Sequence, residues 1–176
     1  MIIKKPKFWD QKKPNFFAYL LAPLSKIVTF YNLVKKKETL EFPNIKIICV
    51  GNIYIGGTGK TPLSIKISEL LNSKGIKTTV IKKFYSEQTD EQLLIRSRTN
   101  LISKKYRKDC TNEAINKNFK CAVFDDGLQD KSIKYNFKIC CFSSNNWIGN
   151  GHAIPAGPLR EKISSLKNFD IVFLNG

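Results

Sequence analysis

The stretch Gly51-Asn52-Ile53-Tyr54-Ile55-Gly56-Gly57-Thr58-Gly59-Lys60-Thr61-Pro62 constrains this chain more than any other. It follows Ile45–Val50 (IKIICV), an apolar run of the buried-strand type. It precedes Leu63–Ser73, where Leu63, Ile67, Leu70 and Leu71 share one helical face and Gly75 stands just past the end. A strand, a glycine-rich turn, Gly-Lys-Thr and a helix, in that order, form the context of a phosphate-binding loop. Gly56, Gly57 and Gly59 can turn their N–H groups inward around a phosphate chain, and the helix start adds its positive dipole end. The whole run Tyr54, Ile55, Gly56, Gly57, Thr58, Gly59, Lys60 and Thr61 is therefore expected to line a nucleotide. Lys60 can reach the β- and γ-phosphates, and the Thr61 hydroxyl can ligate Mg²⁺. Strict P-loop spacing would put glycine at Tyr54, so the match is imperfect; the plainer alternative is a tight turn without a ligand.

Downstream, short apolar runs alternate with polar helical stretches. Lys77–Ile81, Lys120–Phe124, Phe137–Phe142 and Phe169–Leu174 read as strands; Glu91–Ser97 and Thr111–Asn118 read as helices. This alternation predicts an α/β fold of the P-loop NTPase kind, a mostly parallel sheet with helices on both faces, over residues 44–176. Asp125 and Asp126 follow the strand Lys120–Phe124. A carboxylate at the C-terminal edge of a parallel sheet lies beside the phosphate loop, where Asp125 can hold Mg²⁺ directly or through water. The alternative for Asp-Asp-Gly is an ordinary surface turn.

Residues 1–43 differ in character, mixing aromatics with lysines and carrying Pro6, Pro14 and Pro23. Phe16–Val34 is long enough to span a bilayer, but Pro23 and Lys26 interrupt it. It reads as two amphipathic segments split near Pro23. Phe16, Phe17, Leu20, Leu21, Leu24, Ile27, Val28 and Tyr31 are their apolar residues, with Lys12, Lys13 and Lys35 to Lys37 flanking. Such a segment either rests on an anionic bilayer or packs its apolar face on the domain. The net charge of +16, from 30 basic and 14 acidic residues, fits any anionic partner: nucleic acid, phosphorylated substrate or membrane. KKFY (Lys82–Tyr85) and KKYRK (Lys104–Lys108) superficially suggest nucleic-acid binding, but no such motif accompanies them. They read as solvated or lipid-phosphate-facing, and nucleic acid is not an expected partner. Five cysteines without a CxxC pair suggest buried, reduced thiols of a cytosolic protein. A single histidine, His152, argues against a histidine-based metal site.

Three motifs together, VGNIYIGGTGKTP (Val50–Pro62), DDGLQ (Asp125–Gln129) and GNGHAIPAGPLRE (Gly149–Glu161), resemble the tetraacyldisaccharide 4'-kinase family of lipid A synthesis. The third motif discriminates, since many NTPases share the first two. The resemblance runs from about Pro23 to Gly176 and matches the N-terminal half of a typical member. It implies ATP-dependent, Mg²⁺-assisted phosphorylation of the 4'-hydroxyl of tetraacyldisaccharide 1-phosphate, the lipid A disaccharide precursor. It also implies peripheral attachment through the N-terminal helix at the cytoplasmic face of the bacterial inner membrane, on an anionic surface. By the same resemblance, Lys60, Asp125 and Asp126 are catalytic, and Asp90 in TDEQLL activates the sugar hydroxyl. Glu91, Arg107, Gln129, Arg160 and Glu161 lie on the substrate side. Taken by themselves, Asp90-Glu91 could equally be an N-cap with a first-turn acid.

The departures from the family pattern are specific. Its S-R-G-Y-G turn is KKFYSE here, the loop before Asp90 shrinks to Ser86–Thr89, Gln92 replaces a proline, and Asp130 replaces a histidine. Tyr54 stands where a small hydroxyl residue is preferred. The family's second half, with a histidine and part of the acceptor site, lies beyond what this sequence contains. Two alternatives therefore stand beside the kinase reading: a relative that binds nucleotide and membrane without phosphorylating, and a P-loop kinase or NTPase for another anionic substrate.

Overall fold

A computed structural model describes residues 5–34, 38–85 and 89–176. Lys35–Lys37 and most of the short loop before Asp90 (86–88) lie outside the described residues. The elements are α1 (Phe16–Val34), β1 (Lys46–Gly51), α2 (Lys60–Ser73), β2 (Thr78–Lys83), α3 (Thr89–Arg98), β3 (Leu101–Lys104), α4 (Arg107–Asn116), β4 (Cys121–Asp125), β5 (Phe137–Ser143) and β6 (Ile171–Asn175). Six strands form one sheet in the order β3-β2-β4-β1-β5-β6, and every pairing is parallel.

The period of two along each strand builds two cores. Ile47, Cys49, Ile81, Ala122, Phe124, Cys140 and Phe142 point to the face covered by α4 through Cys110 and Ala114. Val50, Val80, Val123, Ile139 and Cys141 point to the other, where α2 supplies Ile65 and α3 supplies Ile95. All five cysteines are buried and free. Burial pushes the Cys121 and Cys140 thiols up to about 11 and Cys141 to about 12, so thiolate chemistry at neutral pH is suppressed.

Three expectations need correction. The N-terminal region is one helix running through Pro23, not two segments. A proline costs its own backbone hydrogen bond and crowds the preceding turn, yet Ser25 fixes the helix just beyond it. The Ser25 hydroxyl donates to the Ala153 carbonyl (2.8 Å) and accepts from the Ala156 N–H (3.1 Å). Leu101–Lys104, assigned to no strand from the sequence, is edge strand β3; its four residues are too short to show a period. Neither basic run is simply solvated. Lys82 is only 4% exposed within β2, and the Arg107 side chain, opening α4, is nearly covered.

The apolar face of α1 does not pack on the domain. Among its described side chains Ala18 and Ser25 are the buried ones, whereas Phe16, Phe17, Leu20, Leu24, Ile27 and Phe30 stay exposed. No helix among the described residues is long and apolar enough to cross a membrane.

Candidate functional site around the phosphate loop

The sheet order makes the site. β4 inserts between β1 and β2, so Asp125 lies in register with Val50 on one side and Lys82 on the other. The acidic end of β4 is thereby set beside the loop that leaves β1, at the carboxyl edge where parallel sheets bind ligands. Within that loop, the Asn52 amide donates to the Tyr54 and Gly56 carbonyls (2.5 and 3.3 Å) and to the Thr58 hydroxyl (3.1 Å). One buried side chain thus pins the curve. Gly59 closes it at φ +79°, a left-handed conformation that favours glycine, and α2 starts at the next residue.

Thr61 and Ser64, one α2 turn apart, both donate to Asp125, at 2.9 and 3.3 Å. Lys82 Nζ donates to the same Asp125 oxygen as Thr61, at 2.7 Å, and to Glu91 at 2.5 Å. Burial alone would lower the Lys82 pKa, but the Asp125 charge and the bonds to Asp125 and Glu91 outweigh it and hold the ammonium above the ordinary lysine value. Removing one partner of a buried pair like Lys82–Asp125 costs about 3–5 kcal/mol. Glu91, predicted on the substrate side, is therefore linked to the buried Asp125 carboxylate through Lys82. Asp90 stands exposed beside it in the first turn of α3.

Asp126 adopts φ +56°, an uncommon conformation for a non-glycine residue, and its N–H donates to the Val50 carbonyl at 2.9 Å. Its carboxylate lies 3.9 Å from Lys60 and 3.3 Å from Arg160. Arg160 also donates to Gln129 at 2.9 Å, and the Gln129 amide donates to the Asn52 carbonyl at 2.9 Å. Three distant motifs meet in this chain of contacts. The third motif is further sewn to the phosphate loop by backbone bonds: Ile55 N–H to the Pro158 carbonyl, and Arg160 N–H to the Ile53 carbonyl.

Arg107, expected on the substrate side, contacts the turn that follows β4. It donates to the Asp126 carbonyl at 2.7 Å and pairs with Asp130 at 3.1 Å, bracing the turn. Asp130 also accepts from the Ser132 hydroxyl and N–H. Burial acts to raise the Asp130 pKa, but these bonds and the Arg107 charge hold it below the ordinary carboxylate value. Glu161 is half-buried and forms no ion pair with a described residue.

Two sets of contacts were not legible in the sequence. Lys82, in a run that reads as solvated or lipid-phosphate-facing, is instead the buried partner of Asp125. Tyr54, expected along the nucleotide loop, is buried, accepts from Lys5 (2.6 Å) and donates to Asp10 (2.5 Å), anchoring the N-terminal segment to the phosphate loop. No local signal identifies either, because both depend on partners far along the chain.

No group of three or more His, Cys, Asp or Glu among the described residues could hold a metal ion. The oxygen pair Thr61–Asp125 does suit a hard cation that takes its remaining ligands from phosphate and water.

Residues 17–176 match the model of the tetraacyldisaccharide-1-P 4'-kinase (LpxK) family. The chain belongs to this family. It is 55% identical over 176 residues to the tetraacyldisaccharide 4'-kinase of Pelagibacter ubique, covering all of this chain and 56% of that relative. The Rickettsia typhi enzyme is 33% identical over 189 residues, with 96% of this chain and 58% of the relative covered. The chain thus spans little more than half the length of these curated relatives. Among solved structures, Aquifex aeolicus LpxK, crystallised as an "apo" form in complex with ATP, superposes with a TM-score of 0.73 at 20% identity. That match covers 90% of this chain and 56% of the LpxK chain, and it shows the shared fold.

Proposed function

We propose that this chain forms the nucleotide-handling half of a tetraacyldisaccharide 4'-kinase, moving the γ-phosphate of ATP to the 4'-hydroxyl of tetraacyldisaccharide 1-phosphate. The observation that carries the reading is the locking of the family's discriminating motif onto the phosphate loop, with Arg160 joined to Asp126 and Gln129. In this reading the loop amides from Tyr54 to Gly59 hold the phosphates, and Lys60 offsets charge on the β- and γ-oxygens. Thr61 and Asp125 are the residues that would hold Mg²⁺, which supplies further charge neutralisation on the phosphates when bound. Asp90 takes the proton of the acceptor hydroxyl as its oxygen bonds to the γ-phosphorus and the bond to ADP breaks. A loose phosphoryl-transfer transition state asks for orientation and charge compensation more than strong base catalysis. Asp126 and Arg160 orient the phosphate side, with Glu161 beside them.

The exposed apolar residues of α1, flanked by Lys12 and Lys13, suit an anionic membrane surface, with the chain held peripherally at the cytoplasmic face of the inner membrane. The test is transfer of labelled γ-phosphate from ATP to tetraacyldisaccharide 1-phosphate in detergent micelles, using the full-length protein. Lys60→Ala and Asp90→Ala should each lower turnover at least about 100-fold, with ATP affinity retained in Asp90→Ala. ATP binding without lipid product would overturn the kinase reading. A near-normal rate in Asp90→Ala would overturn only its assigned role.

A further inference from the structure

Asp125 is fully buried, and one of its oxygens is shared between the Thr61 hydroxyl and the Lys82 ammonium. Lys82 has a second anchor, Glu91, whose side chain is half exposed on the first turn of α3. The position that suits a divalent cation therefore already faces a resident cation with somewhere else to go. We propose that Lys82 is the built-in counter-cation of Asp125 and sets the metal affinity of the phosphate site. A divalent cation engages Thr61 and Asp125 only as Lys82 releases Asp125 and is retained by Glu91.

The physical basis is direct. A buried carboxylate without a counter-charge is costly, so an empty site needs Lys82 on Asp125. A second cation on the same carboxylate is repelled by Lys82, so loading is penalised until the ammonium moves. Glu91 lowers that penalty by keeping a partner for Lys82 within reach. The same contact joins the metal side of the site to the helix turn that carries Asp90, so occupancy of one is felt at the other.

This inference rests on reading Thr61 and Asp125 as the metal-holding pair. It is tested with Mn²⁺ as the probe, its binding to purified full-length protein followed by electron paramagnetic resonance in the presence of a non-hydrolysable ATP analogue. Lys82→Met should bind Mn²⁺ at least about tenfold more tightly than wild type, the effect of one charge removed beside a buried site. It should also melt at a lower temperature in EDTA and gain more on adding Mn²⁺ than wild type does. Glu91→Gln alters an exposed residue and keeps the fold. It should bind Mn²⁺ roughly threefold more weakly, as befits a half-exposed ion pair. Opposite signs in the two variants are the signature, since a merely structural role for Lys82 would weaken binding in both. Lys82→Met binding no tighter than wild type, or Glu91→Gln binding as tightly as wild type, would overturn the proposal. Wild-type protein that binds the nucleotide analogue but no Mn²⁺ would remove the metal reading of Thr61 and Asp125, and this inference with it.

Discussion

Gly59 shows how much a single residue can carry. Its φ of +79° ends the phosphate loop and starts α2, and a Cβ there would come within 2.7 Å of the Asn175 amide. The Asn175 side chain can move away, but the backbone conformation cannot be relieved. Gly59→Ala should therefore cost about 1–2 kcal/mol in urea denaturation and weaken nucleotide binding, and adding Asn175→Ala should recover little of either. Asp130 makes a different prediction. Its folded pKa is depressed, so its contribution to stability is present above the unfolded value of about 3.9 and is lost as pH falls through the lower folded value. The stability gap between wild type and Asp130→Asn, measured by denaturant titration, should be constant near neutrality and close on the acid side. A gap that widened below pH 4 would contradict the bonding assigned to this residue.

Among the elements, α1 is the one whose composition and packing disagree. It docks through a stripe of small residues, Ala18 and Ser25, and leaves large aromatic and aliphatic side chains in solvent. Each such side chain gains about 1.5–3 kcal/mol when fully buried, so a surface that covers several of them would hold the helix firmly. Leu20→Lys with Ile27→Lys should abolish co-sedimentation with phosphatidylglycerol vesicles while leaving thermal stability and nucleotide affinity near wild type. A stability loss as large as a core substitution would mean that the face is packed on protein.

For the molecule as a whole, the site exists only because distant segments converge on it. Arg160 links the third motif to Asp126 at the end of β4 and to Gln129, which holds the Asn52 carbonyl of the phosphate loop. Arg160→Met should preserve the fold and lower nucleotide affinity about fivefold, the loss of a partly exposed charge-assisted contact, as read by fluorescent-nucleotide titration. An unchanged affinity would show that the third motif serves the acceptor alone.

The order of strand, glycine turn, Gly-Lys-Thr and helix was legible without coordinates because each step is local: strand period, turn glycines and helix start lie within a few residues of one another. The acidic strand end at Asp125 was legible for the same reason, as were the buried character of β1 and the family to which the motifs belong. What only the tertiary structure decided was neighbourhood. That β4 lies between β1 and β2 depends on hydrogen bonding between strands separated by many residues, and this order makes Lys82 the buried partner of Asp125. The same long-range packing sets Arg107 against the Asp126 carbonyl and Asp130. The unbroken run of α1 through Pro23 rests on Ser25 meeting Ala153 and Ala156. Local chemistry writes the elements and the phosphate loop; the charge balance inside the site belongs to contacts that no local pattern encodes.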